Sequence, residues 1–183
     1  TKESVDLIRR AKDRGVNVSC ETGPHYLVLC EDELREEGRF KMNPPLRSAD
    51  DRAALIEGLK DGTIDMIATD HAPHSAEEKS RGLEGSAMGV VGLETSFPVL
   101  YTALVRQGTI SLERLIELMS TAPRKRFRLG DAPDDRVVID LETPFRIDSS
   151  AFKSMGHSSP FDGMTVYGRV LQTVHKGKII YNI

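Results

Sequence analysis

Ile64-Asp65-Met66-Ile67-Ala68-Thr69-Asp70-His71-Ala72-Pro73-His74 is the stretch on which the fold turns. Its first six residues are a mostly apolar run of strand type, and it ends on a carboxylate, two histidines and a proline. Working back toward the N-terminus, residues 49–60 carry Ala53, Leu55, Ile56 and Leu59 on or near one helical face, and Asp61-Gly62 stops them. Asn43-Pro44-Pro45 cannot be helix interior. Residues 31–37 are acidic and read as a short exposed helix, and His25 to Leu29 as an apolar loop or short strand. Val16 to Glu21, with alternating valines, reads as a second strand broken by Thr22-Gly23-Pro24. Residues 2–14 read as a helix with Val5, Leu7, Ile8 and Ala11 on one face, Thr1 as N-cap and Gly15 as the stop. Helix, strand, loop, helix, strand is the grammar of parallel βα units.

Toward the C-terminus, residues 71–92 are rich in Gly, Ser, His and charge and read as a long loop, a length that often carries function. Leu93 to Gln107 is helical in pattern, and Pro98 places the helix start near Ser96. Ser111 caps a helix reaching Met119, and Ala122-Pro123 opens another short one. After Gly130 the pattern turns to strands: Val137-Val138-Ile139, and a hairpin over Gly168–Tyr181 turning at Lys176-Gly177. Residues 143–160 read as an irregular connection. The expected division is 1–130 as an α/β unit and 131–183 as part of a small β domain.

With 183 residues, 39% hydrophobic and 29% charged, the chain has the composition of a soluble globular protein and not of a disordered or collagen-like one. Lys+Arg number 25 against 28 Asp+Glu, which gives no electrostatic case for nucleic acid. No apolar run approaches the roughly 20 residues of a membrane helix. There is no signal-peptide pattern. Cys20 and Cys30 make no disulfide framework, which suits a reduced, cytoplasmic setting. An intact eight-stranded α/β barrel needs roughly 250 residues, more than are present. The chain opens on Thr1 and enters helical sequence at once, the expected look of a piece of something longer.

Asp70 falls where an apolar strand ends, the position at which parallel α/β folds place their sites. A carboxylate there can ligate a metal and take a proton from water. It can equally cap the next element, with His71 and His74 as ordinary loop residues. Asn43 offers an amide donor and acceptor on a proline-stiffened loop, suited to a cyclic imide or urea, or simply forms a turn. His25 lies near a strand end and reads as a packed or loop histidine before a ligand. Gly85 and Gly89 flank Met88 in the long loop, where glycine admits a small ligand or merely a bend. Arg124-Lys125-Arg126 and Arg128 read as a solvated helix face.

Four segments occur in order: Glu21-Thr22-Gly23-Pro24-His25-Tyr26-Leu27, Lys41-Met42-Asn43-Pro44-Pro45-Leu46-Arg47, Ile67 through His74, and Gly92-Leu93-Glu94-Thr95. Together they resemble the C-terminal portion of the bacterial class I dihydroorotases of the amidohydrolase superfamily. The resemblance covers Thr1 to about Phe127; the tail, with Ser154-Met155-Gly156 and Val166-Tyr167-Gly168, matches more loosely. It implies the last part of a metal-dependent (β/α)8 barrel, with residues 16–21 and 64–69 as its seventh and eighth strands and the tail as half of a small β domain. It also implies reversible cyclisation of N-carbamoyl-L-aspartate to L-dihydroorotate, in pyrimidine synthesis, with zinc polarising the carbonyl and activating water. In that likeness Asp70 is a metal ligand and the general acid/base. Asn43 contacts the substrate ring, His74 helps hold its carboxylate, and backbone near Gly89 touches it. No metal role carries onto His25.

The family's His-x-His pair, its mid-barrel lysine or aspartate and its fifth- and sixth-strand histidines have no counterpart here. The expectation is therefore an incomplete zinc site and an inactive isolated chain that aggregates, self-associates or binds a missing part. The alternatives are a hydantoinase or allantoinase, or a non-catalytic dihydroorotase-like scaffold. Expected partners are a small-molecule substrate, a second copy in a homodimer and aspartate transcarbamoylase, with no nucleic acid and no membrane.

Overall fold

The computed structural model describes all 183 residues, Thr1–Ile183. Helix α1, Lys2–Asp13, begins where the Thr1 hydroxyl accepts the Ser4 amide. It rests on the helix over Ala49–Asp61 through the Lys2 amide, 2.7 Å from the Asp51 carboxylate, and Arg9, 2.8 Å from Asp61. Of the four apolar residues assigned to one face, Val5 is buried and Leu7 stands 61% exposed. Strand β1 is Glu21–Thr22, helix α2 is Pro24–Val28, helix α3 is Ala49–Asp61 and strand β2 is Met66–Ile67. Strands β1 and β2 pair in parallel, Glu21 opposite Met66 and Thr22 opposite Ile67. Asp65 N to Cys20 O (3.1 Å) and Ala68 N to Thr22 O (3.0 Å) extend the ladder on either side.

Both strands are shorter than the apolar runs suggested. Val16 is 53% exposed, and the Val18 amide closes a local turn onto the Val16 carbonyl. The Cys20 amide also donates to the Asp65 side chain, which Lys12 grips at 2.7 Å. The segment His25–Leu29 is likewise not a strand. Pro24 sits at the first helical position, where its fixed φ and missing N–H are no handicap, and the chain turns into α2. In the acidic run 31–37, only Glu31–Glu33 forms a 3-10 turn, with the Glu33 carboxylate accepting the Cys30 amide. On α3, Ser48 is the N-cap and Gly62, at φ +83°, ends the helix; Ala53 faces solvent.

Helix α4, Gly82–Gly85, interrupts the long loop. Helix α5, Ser96–Leu100, continues as a π-helical turn over Tyr101–Val105. Helix α6, Leu112–Ile116, is capped by Ser111 and continues as a second π turn over Glu117–Thr121 into α7, Ala122–Arg126. The main core joins these helices to the β1–β2 pair; Leu59, Leu100, Leu115 and Leu118 are wholly buried within it. Each fully buried leucine is worth about 1.5–3 kcal/mol.

In the tail, β3 (Arg136–Asp140) pairs with β6 (Arg169–His175), and β6 with β7 (Lys178–Asn182), all antiparallel; β4 (Phe145–Arg146) pairs with β5 (Thr165–Val166). Lys176 and Gly177 both have positive φ, as a two-residue hairpin turn demands. The stretch 143–160 is not wholly irregular. It supplies β4 and a 3-10 turn at Ser149–Ala151, and its Ile147 packs with Val99, Phe161 and Val166 in a second apolar cluster. That cluster fastens the tail to α5. No helix is long and apolar enough to cross a membrane.

Candidate active site

Three segments lie side by side beyond the end of β2. Residues 70–74 run parallel to 88–92, with His71 bridged to Val90 and the Ala72 amide 3.0 Å from the Val90 carbonyl. Residue 89 in turn donates its amide to the Lys41 carbonyl at 3.0 Å. The sequence-expected residues Asp70, His74, Gly89 and Asn43 thus come from neighbouring strips of chain.

Asp70 is exposed and holds φ at +50°, in the left-handed region. Aspartate tolerates that region better than most residues, at a cost of about 1–2 kcal/mol. It lines a cleft of about 700 Å³ together with Asn43, Pro44, Pro45, Tyr26 and Arg47. Asn43 is exposed, and its loop is fixed from behind by the Tyr26 hydroxyl, which donates to the Pro44 carbonyl at 2.7 Å. The Asn43-Pro44 bond is cis. Burial, seconded by the Asp70 charge, pushes the Tyr26 phenol up to about 12, so it remains a donor.

His74 and Gly89 adjoin each other rather than line that cleft. The His74 ring is half-buried; its Nε2 lies 2.9 Å from the Met88 carbonyl and its Nδ1 3.6 Å from Glu78. A carbonyl only accepts, so Nε2 carries the hydrogen. Both polar groups of the Gly89 backbone are engaged, its amide with Lys41 and its carbonyl with Lys79. The neighbouring Met88 amide has no partner within the chain. Gly89 holds φ at +135°, and a Cβ there would come within 2.6 Å of the Ala72 Cβ.

Several residues without an assigned role shape the site. His71 accepts the Gly92 and Leu93 amides on Nδ1, at 3.2 and 3.3 Å, so the strip after Asp70 is pinned to the start of the next helix. Glu94 accepts the Lys153 and Ser154 amides at 2.8 and 3.0 Å and the Ser154 hydroxyl at 2.6 Å. Burial works against its charge, but these hydrogen bonds hold its carboxyl below the usual range. The clamp seats Gly156 against the His74 backbone so closely that a Cβ would lie 2.7 Å from the His74 nitrogen. The sequence signal for Glu94 is its place in the Gly92–Thr95 segment. Lys79, in a charged run, gives no such signal.

His25 is 1% exposed, with Nε2 buried and unpartnered. Burial lowers its pKa to about 4, against the opposing pull of Asp70. A catalytic zinc takes about three protein ligands. No three His, Cys, Asp or Glu side chains of this chain come together to hold an ion. Asp70 offers one exposed carboxylate, so these residues do not themselves form the zinc site that the sequence resemblance implies.

Residues 1–180 match the amidohydrolase family. The chain belongs to that family. This amidohydrolase chain is 52% identical to a dihydroorotase of Brevibacillus brevis, over 98% of its own length and 44% of that relative. It is 51% identical to a dihydroorotase of Lactiplantibacillus plantarum, over 99% of its length and 44% of the relative. The chain therefore spans less than half the length of the curated relatives it matches. Among solved structures it resembles an L-hydantoinase (dihydropyrimidinase) from Arthrobacter aurescens, with a TM-score of 0.89 and 35% identity over 99% of this chain and 43% of that one. The α/β architecture of the chain is thus that of the corresponding part of amidohydrolases.

Proposed function

We propose that these residues are the C-terminal part of a dihydroorotase, with Asp70 as its general acid/base. The observation that carries the reading is Asp70, held in left-handed backbone at the end of β2, facing the same cleft as Asn43. In the hydrolytic direction water adds to the ring carbonyl and the C–N bond breaks. Asp70 takes the proton from the water and returns it to the departing ring nitrogen, leaving N-carbamoyl-aspartate. Asn43 pairs its amide with the cyclic ureide edge. The substrate carboxylate accepts from the free Met88 amide and from His74 Nδ1, which is a donor only in the doubly protonated ring and then exchanges its distant Glu78 neighbour for the ligand. Asp70 is also assigned one ligand position of a zinc ion whose remaining ligands lie outside these residues. Residues 1–130 act as the barrel portion, and 131–183 as the smaller β unit beside it.

The test is Asp70→Asn in the complete enzyme that carries these residues. Loss of general acid/base catalysis lowers kcat about 10²–10⁴-fold with the fold intact by circular dichroism. Wild-type kcat/KM for dihydroorotate exceeds that for hydantoin and allantoin. Full activity in the variant, or a preference for hydantoin, refutes the reading.

A further inference from the structure

Lys79 is 8% exposed, and it forms no ion pair with any carboxylate. Its ammonium instead donates to three backbone carbonyls: Gly89 at 2.7 Å, Ala87 at 2.8 Å and Lys41 at 3.0 Å. An ammonium has three N–H donors and all three are used. The carbonyls belong to two strips of chain remote in sequence. One precedes Asn43 by two residues; the other brackets Met88. Since His74 Nε2 takes the Met88 carbonyl, three consecutive carbonyls, 87, 88 and 89, are each held by a side chain from the 74–79 segment. The Ala87 amide closes the same knot onto the Glu78 carbonyl at 2.9 Å.

We propose that Lys79 is a positioning residue that sets the distance between the Asn43 loop and the Met88–Gly89 peptide, and so the fit of the site to its substrate. The proposal rests on the dihydroorotase reading for the identity of the substrate, but not for the geometry. A buried charge without a counter-ion costs free energy that an apolar residue of equal length would not. Its return here is three charge-assisted hydrogen bonds that no apolar side chain can make. Only a cation with several donors can draw three carbonyls to one point. Burial, with a smaller part from the Lys41 charge, lowers the amine to about 8. Of the other charged groups nearby, Glu78 is turned to Ser75, Glu77 to Arg81, and Glu36 to the Leu83 amide. Lys41 is the one charged group that bears on the amine, and its own Nζ donates to the Glu84 carbonyl at 2.5 Å.

The experiment uses the complete enzyme as wild type, Lys79→Met, and Lys60→Met, an exposed helix lysine paired only with Glu57. Lys79→Met raises KM for dihydroorotate about tenfold and leaves kcat within about threefold, while Lys60→Met changes neither. Amide exchange in Lys79→Met accelerates over both 41–44 and 85–92. In the wild type KM rises as pH passes about 8, where the amine loses its third donor. That measurement stands even if the variant fails to fold. An unchanged KM in Lys79→Met, exchange confined to one of the two strips, or a wild-type KM flat from pH 7 to 9.5 overturns the proposal. If the wild type does not turn over dihydroorotate, the functional reading falls, and the exchange data alone decide on Lys79.

Discussion

Gly89→Ala is the sharpest perturbation the site permits. At φ +135° the residue lies in a region L-amino acids rarely enter, and holding alanine there costs about 1–3 kcal/mol. The added Cβ would stand 2.6 Å from the Ala72 Cβ and 2.7 Å from the Ala72 carbonyl oxygen. Both neighbours belong to the strip that carries Asp70 and His74, and the backbone there cannot swing aside as a flexible side chain would. Overpacking of this kind adds about 1–3 kcal/mol. The sum is about 2–6 kcal/mol, roughly one to four powers of ten in the folding equilibrium. Gly62→Ala is the control: its φ is +83°, but nothing lies within 4 Å of its Cβ, so it incurs the conformational cost alone, about 1–2 kcal/mol. Chemical denaturation of the complete enzyme, followed by circular dichroism, compares the two. The initial rate of dihydroorotate hydrolysis gives the functional side, because the Cβ also lies 3.3 Å from His74 Cδ2 and displaces that ring. Equal destabilisation by the two substitutions, or normal kinetics in Gly89→Ala, refutes the account of how 70–74 and 88–92 are packed.

Two further outcomes follow from buried and clamped groups. The unfolded chain protonates His25 near 6.5, but the folded chain resists until about 4, so between those values the unfolded state binds more protons and stability falls as pH drops. The loss approaches about 3 kcal/mol at pH 4, and His25→Phe flattens that slope; unfolding free energies at pH 7 and pH 4.5 that change equally in both proteins count against it. Glu94→Gln weakens the three hydrogen bonds to Lys153 and Ser154 by about 1–2 kcal/mol in all and speeds amide exchange at those two residues, whereas unchanged exchange removes the clamp from the description of the site.

What was legible in the sequence was what local chemistry decides. Thr1 and Ser111 cap the helices expected of them, because a hydroxyl before an amphipathic run has one good use. Lys176-Gly177 turns the hairpin, since only a two-residue turn with positive φ suits that register. The strand lengths were not legible. An apolar, β-branched run states a preference, but a strand needs a partner alongside it, and Val16 to Ser19 lie beyond the residues that β2 pairs with. His25–Leu29 reads as a loop or short strand yet supplies most of α2, because apolar residues in a five-residue stretch fit a helix as well as a strand. At the proposed site, the carboxylate at a strand end makes Asp70 a candidate and the stiff proline loop makes Asn43 one, and both line the same cleft. Lys79 was invisible: between glutamates and serine it reads as surface, and only its three carbonyls, gathered from positions 41, 87 and 89, show otherwise.

The likenesses in sequence and in structure point to different substrates, and the physics of the site says which to weigh. A TM-score of 0.89 to an L-hydantoinase reports shared backbone, which one family keeps while its chemistry changes. Dihydroorotate is a six-membered ring bearing a carboxylate, whereas hydantoin is a five-membered ring that carries no charge there. Of the two differences, the charge is the one that polar groups of a site can read most strongly. Here the candidates are the unpartnered Met88 amide, the Nδ1 of a doubly protonated His74 with Glu78 no nearer than 3.6 Å, and Arg47 at the cleft. A neutral ring covering these donors would bury them unpaired, and a site built around hydrogen bonds to a group rejects the analogue that lacks it far more strongly than an apolar pocket rejects a missing methylene. The glycine at 89, the ring of His74 and the ammonium of Lys79 all fix one short peptide. That much structure spent on positioning a backbone donor makes sense where the ligand brings an anion to it.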